Sequence, residues 1–494
     1  MSFILEYLVD AIKGLKPTWQ PTDNPIKLLA QLNRKQWTFF LIGFCGWTWD
    51  AFDFFTVSLT VQPIAKTFHK TNADITWGIG LVLMLRVVGA TIFGYACDRY
   101  GRKWPWVVNQ VLFIVLEMAT GFTQTFSQFL AVRALFGIAM GGLYGNAIGT
   151  ALEDAPTDAR GLMSGIIQQG YAFGYLLATV FARALVGTTS HEWRPLYWFG
   201  AGPPVLLIIW RLMLPETDVF LERRALRKQT SSLGSTFAKE MKLSFQHHWL
   251  VFIYMALLLT GASFMAHGSQ DLYPTMLSNQ YQFSANRVTV TQVVANLGAM
   301  MGGTTGGFMS QIVGRRFTIL VLCIIGGALL YPYTFVSNNG ILAAAFFEQF
   351  CVQGIFGVVP VHLMELAPSS IRTFAVGVAY HIGALVSSAS ATIEATIGEQ
   401  FPLPPSKEGV KRYEYGIVMC IFLGCVYGYN VIFTVIGPEA RGREMRVTEE
   451  DEVVDIVGKV VVHEDDGTDH IETIGEKGAI EYPTKEVVEH RETV

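Results

Sequence analysis

The chain has 494 residues, 51% of them hydrophobic and 15% charged, with a formal net charge of −4. Soluble domains carry about 25% charged residues, and a mean hydropathy of +0.36 rests on apolar runs of about 20 residues or more, the length that crosses a bilayer. These figures exclude a secreted disulfide scaffold, a disordered chain and a nucleic-acid binder. The six cysteines fall in or beside apolar runs without metal-ligand spacing, so they read as free, buried thiols.

Residues 1–36, expected to be a cytoplasmic N-terminal segment, lack the charged start, apolar centre and small-residue cleavage site of a signal peptide, and the first span is too long to be one, so it is expected to remain in the mature protein. Residues 3–15 carry apolar positions at helical spacing, which suits a helix on the membrane surface or a short helix packed on the bundle. Twelve spans follow, at 37–62, 75–97, 104–125, 127–150, 161–184, 195–214, 249–278, 286–311, 317–336, 340–364, 371–397 and 415–437. The fold class expected is an all-α membrane protein of two six-helix bundles, 37–214 and 249–437. A cytoplasmic linker at 215–248 joins them and an acidic tail at 438–494 follows. With both termini inside, the inner side carries twenty-one Lys and Arg against seven outside, which sets the orientation by the positive-inside rule.

The halves repeat. Gly94-Tyr-Ala-Cys-Asp98-Arg99-Tyr-Gly101-Arg102-Lys103 follows span 2, and Gly307-Phe-Met-Ser-Gln311-Ile-Val-Gly314-Arg315-Arg316 follows span 8, an offset of 213. Glu153-Asp-Ala-Pro156 with Arg160 follows span 4, and Glu365-Leu-Ala-Pro368 with Arg372 follows span 10, an offset of 212. The first string, with Arg133-x-x-x-Gly137-x-x-x-Gly141-Gly142 in span 4, resembles the two signatures of the major facilitator superfamily. The resemblance implies two bundles around a central path and alternating access. Asp98 and its basic neighbours sit at a helix end, where charge-assisted bonds hold helices together in one state and release them in another. Gln311 and Ile312 replace Asp98 and Arg99 in the second copy, so that lock is expected to be weaker. For Arg315 and Arg316 simple positive-inside topology is the alternative to a gating role.

Charges inside spans are costly and usually functional. Asp50 and Asp53 share one face of span 1, and Arg133 enters span 4 at a similar depth. An Asp–Arg133 pair would be either a proton site or a static ion pair. Arg86 in span 2 suits a substrate carboxylate, or else pairs with Glu117 or a span 1 aspartate. Of the remaining charges, Arg183 and Glu394 lie near outer ends and are expected to reach the interface. Glu348 has no evident partner.

Span 7 ends in His267-Gly-Ser269-Gln270-Asp271-Leu-Tyr-Pro274-Thr275. That string, with Trp49-Asp50-Ala-Phe-Asp53-Phe-Phe55 in span 1, resembles the fungal Jen-type carboxylate transporters of the sialate/lactate–proton symporter branch. The resemblance implies proton symport of short mono- or dicarboxylates (lactate, pyruvate, succinate or malate) across the plasma membrane. It places His267, Ser269, Gln270, Asp271, Thr275, Tyr380 and His381 at the substrate, beside the Arg86 cation read from its charge and depth. The chain departs from the pattern at Ser263, Ala266, His381 and Ala384, positions that bear on substrate identity.

The tail holds 17 acidic and 7 basic residues over 438–494, leaving about +6 on the body. It reads as disordered. Acidic blocks beside Lys459, Lys477 and Lys485 suit a ubiquitin-ligase adaptor, or no partner at all. The rival functions are a sugar or polyol porter, a drug/proton antiporter, and a non-transporting nutrient receptor. No phosphate loop, metal-ligand cluster or nucleophile elbow points to an enzyme, and no cofactor is implied.

Overall fold

The structure, a computed structural model, describes residues 13–17, 19–70, 72–230, 233–405, 411–443 and 445, with strands at 459–463 and 469–473. Each apolar run becomes helix, because a backbone in hydrocarbon must bond to itself. Spans 1 to 3 are Arg34–Phe68, Asn72–Tyr100 and Lys103–Phe122. Span 4 is Phe126–Gly141 and Leu143–Leu152, broken at its glycine pair, and span 5 is Arg160–Leu185. Span 6 is Arg194–Gly200 and Pro203–Met213. In the second half, span 7 lies in Leu233–Gln270 and continues through Tyr273–Thr275 into a π-turn at Met276–Gln280. Spans 8 to 10 are Ala285–Val313, Arg315–Phe335 and Gly340–Leu366. Span 11 is Arg372–Ser387 and Ser390–Gly398, and span 12 is Tyr415–Ile436. Nine described helices are long and apolar enough to cross a membrane. Spans 1, 5 and 8 have the length but more polar and glycine residues, because they pack on other helices over much of their surface.

The packing repeats with the sequence. Spans 1 and 5 pair as 7 and 11 do, 2 and 4 as 8 and 10 do, and across the halves 2 meets 11 as 5 meets 8. Small residues permit these crossings, since helices in lipid associate by close backbone approach. A Cβ on Gly165 would lie 2.5 Å from the Gly303 carbonyl oxygen, and one on Gly94 would lie 2.7 Å from Phe374 Cα. One continuous core cluster runs through both halves, from Trp47, Tyr144 and Met163 to Leu259, Val358 and Val376.

Three expectations change. The linker 215–248 is largely helical, which moves the start of the span 7 helix back: Asp218–Thr230 is one helix, and Leu233–Gln270 continues into span 7 with a kink at His248. Its polar residues are good helix formers, and Asp154 accepts the backbone N–H groups of Asp218 and Val219 at 3.0 and 3.2 Å, capping the first helix. Within the tail, Lys459–His463 pairs antiparallel with Asp469–Thr473, as a run of three valines favours. Cys425 is exposed on the outer surface of its span rather than buried, although all six cysteines are free. Most of the surface segment 3–15, the acidic blocks 449–452 and 464–466, and Lys477 and Lys485 lie outside the described residues.

Candidate functional site

Spans 1, 2, 4 and 11 meet at a buried ion pair. Arg86 Nη2 donates to Asp50 Oδ2 at 3.2 Å and contacts Met140 Sδ at 3.1 Å, while the guanidinium lies 5.1 Å from the Phe54 ring. Asp50 Oδ1 and Arg86 Nε have no hydrogen-bond partner among the described residues. Aromatic rings wall the site. Tyr380 stacks on Tyr144 at 3.7 Å, Trp47 meets them at 5.8 and 5.0 Å, and Tyr171 lies 5.7 Å from Trp47. His381 is buried, 5.3 Å from the Tyr380 ring and within electrostatic reach of Arg86.

Arg133 is not the partner of a span 1 aspartate. Its Nη1 donates to Glu117 Oε2 at 3.0 Å, and both side chains are buried. Spans 3 and 4 form a hairpin, and Glu117 lies about as far before the turn as Arg133 lies after it. Asp53 stands beside this pair with neither oxygen bonded among the described residues. A Cβ on Gly200 would sit 2.5 Å from Asp53 Oδ1 and 3.5 Å from Glu117 Cγ, so the broken helix of span 6 admits both acids. Tyr197, bonded to Thr60 at 3.2 Å, lies within reach of all three charges. Two carboxyls thus share one guanidinium in a dry site, where only one can be ionised without leaving net charge.

On the opposite side, His267 Nδ1 and Asp271 Oδ2 lie 2.9 Å apart and are partly exposed. Gln270 Nε2 donates to Gln349 Oε1 at 2.7 Å, and Gln349 Nε2 donates to Ser269 Oγ at 3.0 Å. Thr275 is exposed beyond the helix end and is not drawn into this chain of bonds. Glu348 does have a partner: Tyr427 donates its hydroxyl at 2.7 Å. Arg183 is exposed as expected, but Glu394 does not reach the interface and is fully buried.

The face formed by the loops after spans 2, 4, 8 and 10, here the motif face, is closed. Asp98 Oδ1 accepts Arg102 Nη1 at 2.7 Å and the Thr373 N–H at 3.2 Å, and Oδ2 accepts the Phe374 N–H at 2.8 Å. A first-half carboxylate therefore caps the start of span 11, where the helix dipole favours it. Arg102 also grips Glu153 at 2.6 Å. Arg99 takes no part in that grip; it turns outward onto Tyr95 and Tyr100. Asp98 and Arg99 lie in the last turn of span 2, about 100° apart around its axis, and the turn at Gly101 brings Arg102 back to the Asp98 side. In the second copy Arg315 pairs with Glu365 at 3.0 Å and with Gln311 at 2.7 Å. Gly101 and Gly314 turn both loops at φ +103° and +106°, values that favour glycine.

The tail root completes the closure. Arg160 donates to the Arg443 carbonyl at 3.1 Å, and Arg372 donates to the Met445 carbonyl at 3.0 Å. Glu216 accepts the Lys103 N–H and Glu439 the Arg316 N–H, each at 3.0 Å. These glutamates escaped the sequence reading, although Pro215-Glu216 and Pro438-Glu439 repeat after spans 6 and 12.

Twelve spans with this pseudo-repeat and paired motif loops define a membrane transporter of the major facilitator fold. The likeness to solved structures agrees. The proton:xylose symporter XylE bound to 6-bromo-6-deoxy-D-glucose matches at TM-score 0.65 and 18% identity, over 83% of this chain and 97% of that one. The human organic anion transporter MFSD10 matches at 0.59 and 14%, over 82% and 100%. The family described as sugar (and other) transporter matches residues 35–451, and the chain belongs to it. A carboxylic acid transporter protein homolog of Saccharomyces cerevisiae is 39% identical over 85% of this chain and 71% of its own. The cis,cis-muconate transport protein of Acinetobacter baylyi is 28% identical over 73% and 86%.

Proposed function

We propose that the chain is a proton-coupled symporter that imports short-chain mono- or dicarboxylates by alternating access, with the motif face and both termini cytoplasmic in the plasma membrane. The observation that carries this reading is the Asp50–Arg86 pair, one permanent cation held by one carboxylate and walled by aromatic rings. A substrate carboxylate presents the same chemistry to Arg86 as Asp50 does. Protonating Asp50 frees the guanidinium for the substrate, so proton and anion enter together. Neutral substrates need no such buried cation, which sets this reading against a sugar porter. The relatives named for carboxylic acid and muconate transport support it.

The other parts take roles in sequence. Asp53, Glu117 and Arg133 hold one exchangeable proton among two carboxyls. His267, Ser269, Gln270 and Asp271 face the substrate from the second half, with Tyr380 and His381. Asp98, Arg102, Glu153 and Arg160, with Arg315, Glu365 and Arg372, hold the cytoplasmic side shut until substrate loading favours the alternative packing. The acidic tail is a docking segment for a ubiquitin-ligase adaptor.

The test is uptake of labelled lactate, pyruvate, acetate, succinate, malate, shikimate and glucose by a transporter-deficient cell. Acid uptake that falls as external pH rises and collapses with a protonophore is expected. Acid uptake that survives intact in Arg86→Ala refutes the assignment of the carboxylate site.

A further inference from the structure

Glu394 lies in the outer helix of span 11, Ser390–Gly398, and is fully buried. Neither of its carboxyl oxygens has a hydrogen-bond partner among the described residues. Oε1 is aimed at span 7, since a Cβ on Gly268 would lie 3.2 Å from it. The helices packed against this segment are spans 7 and 12. From span 7 the group within electrostatic reach is Asp271, itself bonded to His267. From span 12 Tyr415 packs on Gly398, and from span 9 Tyr333 lies within reach. Glu348 of span 10 is occupied by Tyr427, and Glu399, next along the chain from this helix, is exposed. No lysine or arginine is among these groups.

An ionised carboxylate in that position has no donor, no cation and an anionic neighbour, so the geometry holds the neutral acid. Asp271 is also 42% exposed and His267 is 23% exposed, so the pair beside the buried acid opens onto the molecular surface. An entering substrate anion adds negative charge beside Asp271, and a protonated Glu394 keeps a second carboxylate charge out of that region. We propose that Glu394 is the proton-binding residue of the second half, a site separate from Asp53, Glu117 and Arg133. Its carboxylate takes a proton from the outer water before the substrate anion binds Arg86, and proton and substrate then leave together on the inner side, so charge and atoms balance. The proposal rests on the carboxylate-symport reading. It deepens that reading by requiring a further proton per substrate.

The experiment compares wild type with Glu394→Gln in proteoliposomes, measuring labelled-acid accumulation, proton influx and counterflow. Each coupled proton multiplies accumulation about tenfold per unit of pH gradient. The variant is expected to keep counterflow, to accumulate about tenfold less, and to show a proton:substrate ratio lower by one. An unchanged ratio and pH slope in the variant overturns the proposal while leaving symport in place. A wild type without acid-stimulated carboxylate uptake overturns symport itself, and this proposal with it. If the variant fails to reach the membrane, wild type is treated with dicyclohexylcarbodiimide, which adds to protonated carboxyls in apolar surroundings. An adduct on Glu394 that fades as pH rises supports the proposal. Its absence while Glu117 or Glu348 reacts overturns it.

Discussion

Replacing Asp98 by Asn should open the closed face. Asp98 accepts bonds from the Arg102 guanidinium and from two backbone N–H groups at the start of span 11. Asn keeps the shape but loses the charge and one of the two acceptor oxygens. Hydrogen bonds to charged groups contribute about 1.5–3 kcal/mol each, and the charge–dipole interaction adds about 0.3–1 kcal/mol. Losing one such bond and the dipole interaction removes about 2–4 kcal/mol from the closed state, a shift of roughly 30- to 1000-fold in the closed-to-open ratio. Thr373→Cys in a background without other cysteines reports the opening. Thr373 is 1% exposed, and its hydroxyl has no hydrogen-bond partner among the described residues, so putting a thiol in place of the hydroxyl and removing the γ-methyl breaks no hydrogen bond. A membrane-impermeant maleimide applied from the motif face should react at least about tenfold faster when Asp98→Asn is added. Equal rates in the two backgrounds refute the claim that this carboxylate holds the halves together.

Other perturbations follow from the same geometry. Gly307→Ala places a Cβ 2.4 Å from the Gly161 carbonyl oxygen, so overpacking of about 1–3 kcal/mol should weaken closure between spans 5 and 8; slower uptake at normal surface expression checks it. Glu117→Gln leaves one carboxylate for one guanidinium, so uptake should lose part of its rise at acid external pH; a wild-type pH profile would exclude Glu117 from coupling. Arg86→Ala strands Asp50 and should cost about 3–5 kcal/mol if the acid stays ionised. Lowering pH neutralises Asp50 and should restore thermal stability in detergent without restoring uptake. Removing 438–494 takes away the carbonyls that cap Arg160 and Arg372 and should raise Thr373→Cys labelling, whereas removing 449–494 should leave labelling and uptake unchanged.

Much of this was legible in the chain itself. Hydropathy is a property of a run, so twelve spans, their order and the duplicated loops could be read without coordinates. The repeated strings after spans 2 and 8 could be aligned in the same way, and the structure shows both turning on a glycine, Gly101 and Gly314. What folding decided was partnership. Arg86 took Asp50, Arg133 took Glu117, Arg102 rather than Arg99 entered the lock, and Glu394 turned inward. Each choice depends on the relative depth and rotation of the elements that meet. One residue of shift turns a side chain by about 100° and moves it about 1.5 Å along the axis. The sequence thus determined which charges enter the membrane, and only the tertiary structure decided which of them meet.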